Sequence, residues 1–440
     1  MPRLGRIILF VAFAFTVMAD PVSSVAYAVE ASLAALDGDL ATLLPTMTLV
    51  LGVIVVVAAS YHQLIARFPD GGGGAAGMAA AFGEGWAFLP LGALVVDFTL
   101  TIAVSVSAAS SALIAYAPGL AGLRIPMAAA LAASVAAICL VGHRGRVLFA
   151  AATLSFVGLA ALVVVRGAFA EPGVAATPLA GEASFLPLLL ALPLGMALAT
   201  GVEAPSNAVA ELGELGPGGR RRFGQATIWI MLAVVSGLTI SFAALAARLG
   251  IGLPPDDSTL LAEVARTATG GDGAFAVFQA ASALLLLAAA AASFIAGAGL
   301  LEALARHTDG GRGLLPARFG QANRFYVPPW GIGALLVVSL AVVSFAGGRD
   351  QEIVHFYAVA VFLSFLGAVV ACAVLSWRER RLAALAVNAA GIVLVGLVLA
   401  LNLRRLDPLA SLAASAAVSL FLWGMWVRRG RPGGTGRLGR

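Results

Sequence analysis

Long apolar runs recur along the whole chain, separated by short polar, glycine-rich or arginine-bearing stretches. A helix needs about 20 apolar residues to cross the hydrocarbon core of a bilayer. On that scale crossings are expected at roughly 7–36, 42–66, 84–117, 124–142, 147–168, 184–212, 223–248, 273–305, 330–346, 352–376, 382–402 and 408–428. About twelve crossings is an even number, which puts both termini on one side. The fold class expected is an all-α membrane protein.

Two of these runs are interrupted near their middles. The first, "FTVMADPVSSVAYAVEASL", carries Asp20 and Pro21 inside a stretch too long for a simple crossing. A carboxylate there is expensive and a proline supplies no N–H, costs that fall if the helix breaks and its polar groups face a watery cavity. The sixth, "LALPLGMALATGVEAPSNAVAEL", crowds Thr200, Gly201, Glu203, Pro205, Ser206 and Asn207 into one place. Each interruption opens a five-crossing unit, about 7–168 and 184–376, and five is odd, so the second unit is expected to be inverted relative to the first. Matching breaks in two inverted halves point to a transporter site at the midplane. The plainer reading is a pair of proline kinks that serve packing. The third run adds "LVVDFTLTIAVSVSAASSAL", where Asp97, Thr101 and Ser105 follow at i, i+4 spacing and share one helix face. An intramembrane carboxylate is a functional candidate by default, although Asp97 could instead cap a neighbouring backbone.

Composition places the chain in lipid: 61% of residues are hydrophobic and 11% charged, against about 25% charged in soluble domains. The net charge of +5 comes from arginines at the ends of apolar runs, and the sequence contains no lysine. This is membrane topology rather than a nucleic-acid stripe. With the N-terminus cytoplasmic, 20 of the 27 arginines fall inside and 7 outside, so both termini are expected in the cytoplasm of a cell bounded by this plasma membrane. The opening "MPRLGRIILFVAFAFTVMAD" imitates a signal peptide, but apolar character resumes after Pro21 and the segment is expected to stay as the first crossing. One transporter domain is expected over 1–428, with 382–428 as two extra helices and 429–440 as a disordered basic tail.

Several features carry less. Cys139 and Cys372 lie in apolar runs and read as packing residues. His62, His143, His307 and His355 are scattered without metal-ligand spacing. "FPDGGGGAAG" lacks the GK[ST] ending of a phosphate loop and reads as a flexible inner connection. Ser258 to Thr267, after two aspartates, reads as a short interfacial helix. No cofactor is expected.

The stretches "DPVSSVAYAVEA", "SYHQLIARFPDGGGG", "LVVDFTLTIAVSVSA", "TGVEAPSNAV" and "FYAVAVFLSF" together carry a family likeness. The chain resembles the KimA-type potassium uptake permeases of the amino acid–polyamine–organocation superfamily, from about Asp20 to Phe365. "GLLPARFGQANRFYVPPWGI" is similar to that superfamily's connection between spans eight and nine. The resemblance implies the five-plus-five inverted-repeat (LeuT-like) core with broken helices 1 and 6, plus two C-terminal helices. It implies that Asp20, Tyr27, Asp97, Thr101, Thr200, Glu203 and Tyr357 line the potassium path or carry the coupling proton. Phe98 stands where the family tends to have a tyrosine, which removes one possible oxygen ligand, and Pro205 stiffens the sixth break. The better-known members carry a cytoplasmic C-terminal domain that these residues do not contain, so regulation or dimerisation through one is not expected to carry over.

Three carboxylates with hydroxyls and freed carbonyls offer the oxygen ligands hard cations take, and three buried negative charges together require a proton or a counter-ion on at least one. The mechanism expected is proton-coupled uptake by rocking of one bundle. Glu203 carries the proton, and Asp97, Thr101 and Thr200 face the ion. Asp20 guards the inner path, and Tyr27 and Tyr357 close the outer side. The alternative is a proton-coupled amino acid or amine permease of the same fold. Such carriers usually offer a glycine-rich break to a substrate carboxylate, whereas "DPVSS" offers an acid. Span eight supplies only Ser293 in "AAAASFIAGAG", which disfavours sodium coupling. A channel or an enzyme lacks supporting motifs. Oligomeric state stays open.

Overall fold

A computed structural model describes residues 3–142, 145–172, 185–271, 273–306, 313–405 and 407–434. His143, His307 and the end of the C-terminal tail lie outside these residues, as does the side chain of Tyr357. Among the described residues there is no strand. The chain begins with α1 (Arg3–Val17), α2 (Ala19–Ser23), α3 (Val25–Ala35), α4 (Leu40–Arg67), α5 (Gly73–Phe82) and α6 (Phe88–Tyr116). It continues through α7 (Arg124–Leu140), α8 (Gly145–Gly167), α9 (Phe185–Gly195), α10 (Ala204–Ala208), α11 (Pro217–Leu249) and α12 (Leu260–Thr269). It ends in α13 (Gly273–Arg306), α14 (Pro329–Phe345), α15 (Asp350–Arg378), α16 (Leu382–Asn402) and α17 (Asp407–Arg428).

Ten helices among the described residues are long and apolar enough to cross a membrane, or eleven if α14 and the first turns of α15, bent by 109°, make one span. The expected count of about twelve is larger because the first run is in three pieces, none long enough to qualify alone, and α14, with 17 residues, is a little too short by itself. The chain is therefore a multi-span helical membrane protein. The helices lie where the apolar runs do because nothing in lipid can satisfy an unpaired backbone group except the helix's own ladder.

α6 sits at the centre, packed by α7, α13, α14, α15 and α17. It is buried on all sides and rich in small residues, Ala103, Ser105, Ala109 and Ser110 among them, which lets neighbouring backbones approach. At Gly297 a side chain would collide with Leu335 and Phe98, so Phe98 faces the α13–α14 interface.

Two connections differ from expectation. The stretch after Asp70 is not a flexible link. Gly71, Gly72 and Gly73 take positive φ of 93°, 92° and 44° and turn the chain into α5, which packs on α15. Only glycine adopts three such residues in succession without strain. The short helix expected at 258–267 is α12, two residues later, because Thr259 is its N-cap and accepts from the Ala262 N–H at 3.2 Å.

Candidate functional site

The sixth run is broken as its composition requires. α9 tightens into a 3-10 turn at Met196–Ala199, Thr200 becomes extended (φ −50°, ψ 133°), and Gly201 takes φ 73°. The N–H groups of Thr200, Val202 and Ala204 then donate to carbonyls three residues back, those of Ala197, Ala199 and Gly201. α10 starts at Ala204, so Glu203 sits at the junction, with the Ser206 hydroxyl donating to its carbonyl at 2.7 Å.

The first run is interrupted too, in three pieces, but less sharply than the sixth. Met18 and Ser24 interrupt it, but both stay in the right-handed region. The Met18 carbonyl still accepts from Val22 at 2.9 Å and the Ser24 carbonyl from Ala28 at 2.9 Å. Pro21 lies in the first turn of α2, where a missing N–H is tolerated. Ser23 and Ser24 donate their hydroxyls to the carbonyls of Asp20 and Pro21, each at 2.7 Å. No glycine is present to turn the chain. The result is a weakened helix rather than an opened one.

The two interruptions touch. Ser24 Oγ also donates to the Leu198 carbonyl at 3.1 Å. A Cβ at Gly201 would lie 2.7 Å from Asp20 Oδ2 and 2.7 Å from Pro21 Cδ, so the Asp20 carboxylate rests on the backbone of the sixth break. Asp97 on α6 is close enough for its charge to act on both Asp20 and Glu203. Thr101, one turn beyond Asp97, is buried and shares its face. Tyr27 on α3 is fully buried and its hydroxyl lies beside Thr200 without closing a well-formed hydrogen bond. Asp20, Tyr27, Asp97, Thr101, Thr200 and Glu203 are therefore gathered in one enclosed region. Tyr357 belongs to α15, and its side chain is not among those described.

The region is polar and incompletely satisfied. Asp20 Oδ1, Glu203 Oε2 and the hydroxyls of Tyr27, Tyr61 and Ser105 are buried without a well-formed hydrogen bond. Buried polar atoms are normally paired, and a cluster of unpaired oxygens is what a site awaiting a cation, water or proton looks like. No group of three His, Cys, Asp or Glu side chains arranged to hold a metal ion occurs among the described residues. Tyr61 was missed by sequence reasoning, since a single aromatic in an apolar helix reads as packing. Glu30 and Asp350, buried near the other end of the bundle, were missed because each lies close to a run's end, where acids are ordinary.

A family model described as amino acid permease matches residues 8–426. The chain belongs to the amino acid permease family. It is a membrane transporter and not an enzyme. This permease is also similar to Potassium transporter KimA of Bacillus subtilis (strain 168), with 29% identity over 365 residues. That match covers 79% of this chain and 58% of the other, so the permease spans less than two thirds of that relative's length.

Proposed function

We propose that this permease takes up a monovalent cation, potassium in the first place, coupled to protons by alternating access. The observation that carries the reading is the set of unpartnered carboxylate and hydroxyl oxygens enclosed where α2, α6 and the sixth break meet. Likeness to a potassium transporter supports it. Asp97, Thr101 and Thr200 face the ion, and Glu203, beside the Gly201 turn, carries the proton. Asp20, pressed on that turn, guards the inner path, and Tyr27 and Tyr357 close the outer side. The core is read as two inverted five-span units, about 7–168 and 184–376, in a single domain of twelve crossings over 1–428. Both termini face the cytoplasm from the plasma membrane.

Proton coupling follows from charge. Three ionised carboxylates within reach of one another in a low-dielectric interior repel strongly. A cation among them relieves the repulsion, and so does a proton on one. Loading one therefore alters the affinity for the other, which is the linkage a coupled carrier needs.

A bacterium lacking its potassium uptake systems, transformed with this permease, is expected to grow at limiting potassium. The same strain carrying Asp97→Asn is expected to fail, at least tenfold down in rubidium uptake with the protein present in the membrane. Absence of rescue together with accumulation of a labelled amino acid or amine would transfer the reading to that substrate class, which the family description accommodates.

A further inference from the structure

Tyr61 lines the site but has no role in the transport reading given above. It lies on α4, fully buried, its ring edge-on to Phe365 at 5.9 Å between centroids. Its hydroxyl lies beside Ser364 on α15 without closing a well-formed hydrogen bond, although a buried tyrosine ordinarily makes one. Glu203 Oε2 is unpartnered, and of the charges that reach Tyr61 the strongest is that of Glu203. α4 packs against α10 and the 196–199 turn that flank Glu203, and against α15 on its other side. Six residues on, about 9 Å along the helix, Arg67 ends α4 and pairs with Glu379 at 2.9 Å. Tyr61 thus lies less than two turns from that end of α4. The other titratable groups facing the pair are Asp20 on α2, Asp97 on α6 and Cys372 on α15.

We propose that Tyr61 is a positioning residue for the transported proton: its hydroxyl and Glu203 Oε2 hold one small ligand between them, a water or a hydronium ion. The proton leaves the Glu203 carboxyl for that water, giving carboxylate and hydronium, and moves on toward the Arg67 end of α4. Tyr61 orients the water by a hydrogen bond and is not itself ionised. The inference rests on Glu203 being the proton carrier.

The test uses full-length protein in proteoliposomes, with the protonated-carboxyl stretch in infrared difference spectra as a readout independent of the transported species. Glu203→Gln assigns the band by abolishing it. Tyr61→Phe is expected to move that band and to lower maximal rubidium flux about tenfold while KM for rubidium stays within twofold, with an altered pH profile. Phe365→Leu, which removes the stacked ring and keeps the hydroxyl, is expected to leave the band in place. An unmoved band in Tyr61→Phe, or an equal shift in Phe365→Leu, overturns the role of the hydroxyl. Persistence of the band and of pH-dependent flux in Glu203→Gln overturns instead the reading of Glu203 on which it rests.

Discussion

Gly201 carries the sixth break almost alone. Its φ of 73° is a conformation that costs an L-residue about 1–2 kcal/mol, and a methyl there would sit 2.7 Å from Asp20 Oδ2. Gly201→Ala is therefore expected to lose at least about 1–2 kcal/mol of stability and nearly all uptake, read by thermal unfolding and by flux. Gly237→Ala supplies the contrast. Nothing lies within 4 Å of a Cβ at Gly237 inside α11, so it is expected to be neutral or stabilising by up to about 1 kcal/mol. Equal losses in both would show that the left-handed turn is not what holds the site. Residue by residue, Asp20, Asp97 and Glu203 were legible because charge in an apolar run is costly and conspicuous. Tyr61 was not, since the Glu203 carboxylate with which its hydroxyl is proposed to act is 142 positions away in sequence.

Elements show the same division between what composition announces and what packing decides. All the expected runs fall on helices because burial in lipid leaves the backbone no other solution. The first interruption is milder than the sixth: "ADPVSS" has the proline and the polar residues of a break but no glycine, and its serines donate their hydroxyls to the carbonyls of Asp20 and Pro21, one turn back on the same helix. α16, read only as an extra helix, is tied in by side chains that no periodicity reveals. Asn388 accepts from Ser60 at 2.8 Å and donates to Gln63 Oε1 at 3.0 Å and Ser376 at 3.2 Å. Arg67 adds bonds to Ser376 at 3.0 Å and to both oxygens of Glu379 at 2.9 Å, so α4, α15 and α16 are joined at one end. Arg67 holds the Glu379 carboxyl below the usual glutamate range, mainly through that hydrogen bond. A depressed folded value means the contact stabilises fully above the unfolded glutamate pKa of about 4.3. That contribution is lost as pH falls through the lower folded value. Because Glu379 is about a third exposed, solvent screening keeps the effect small. Stability measured across this acid window should drop more in the wild type than in Glu379→Gln. Parallel curves would remove Glu379 from the junction.

At the scale of the whole molecule, the site is enclosed at both ends by different devices. On one side Asp70 pairs with Arg220 at 2.8 Å, and Gly73 abuts Ser206 and Asn207 so closely that no side chain fits. On the other, α12 and the loop before it are strapped across the bundle. Glu30 accepts from the Leu260 N–H at 2.7 Å. Arg124 donates to the Asp256 carbonyl at 2.5 Å and to Ser111 at 2.8 Å, and Ser111 donates to Asp350 at 2.7 Å. Arg266 reaches the Ala115 carbonyl at 2.7 Å. Beneath the strap lies a cavity with room for a single water, lined by Asp350, Thr259, Gln279 and Ser282. Carboxylate-to-backbone and guanidinium-to-carbonyl bonds are charge-assisted and directional, so removing one should bias the equilibrium toward a state with α12 lifted. In a background of Cys139→Ala and Cys372→Ala, Ser282→Cys should react slowly with a membrane-impermeant maleimide added outside cells. Arg124→Ala should raise that rate several-fold, while reaction from the cytoplasmic face in inverted vesicles should not rise. Unchanged external labelling in Arg124→Ala would mean that the strap does not close this end. Labelling confined to inverted vesicles would reverse the membrane orientation inferred from the arginines.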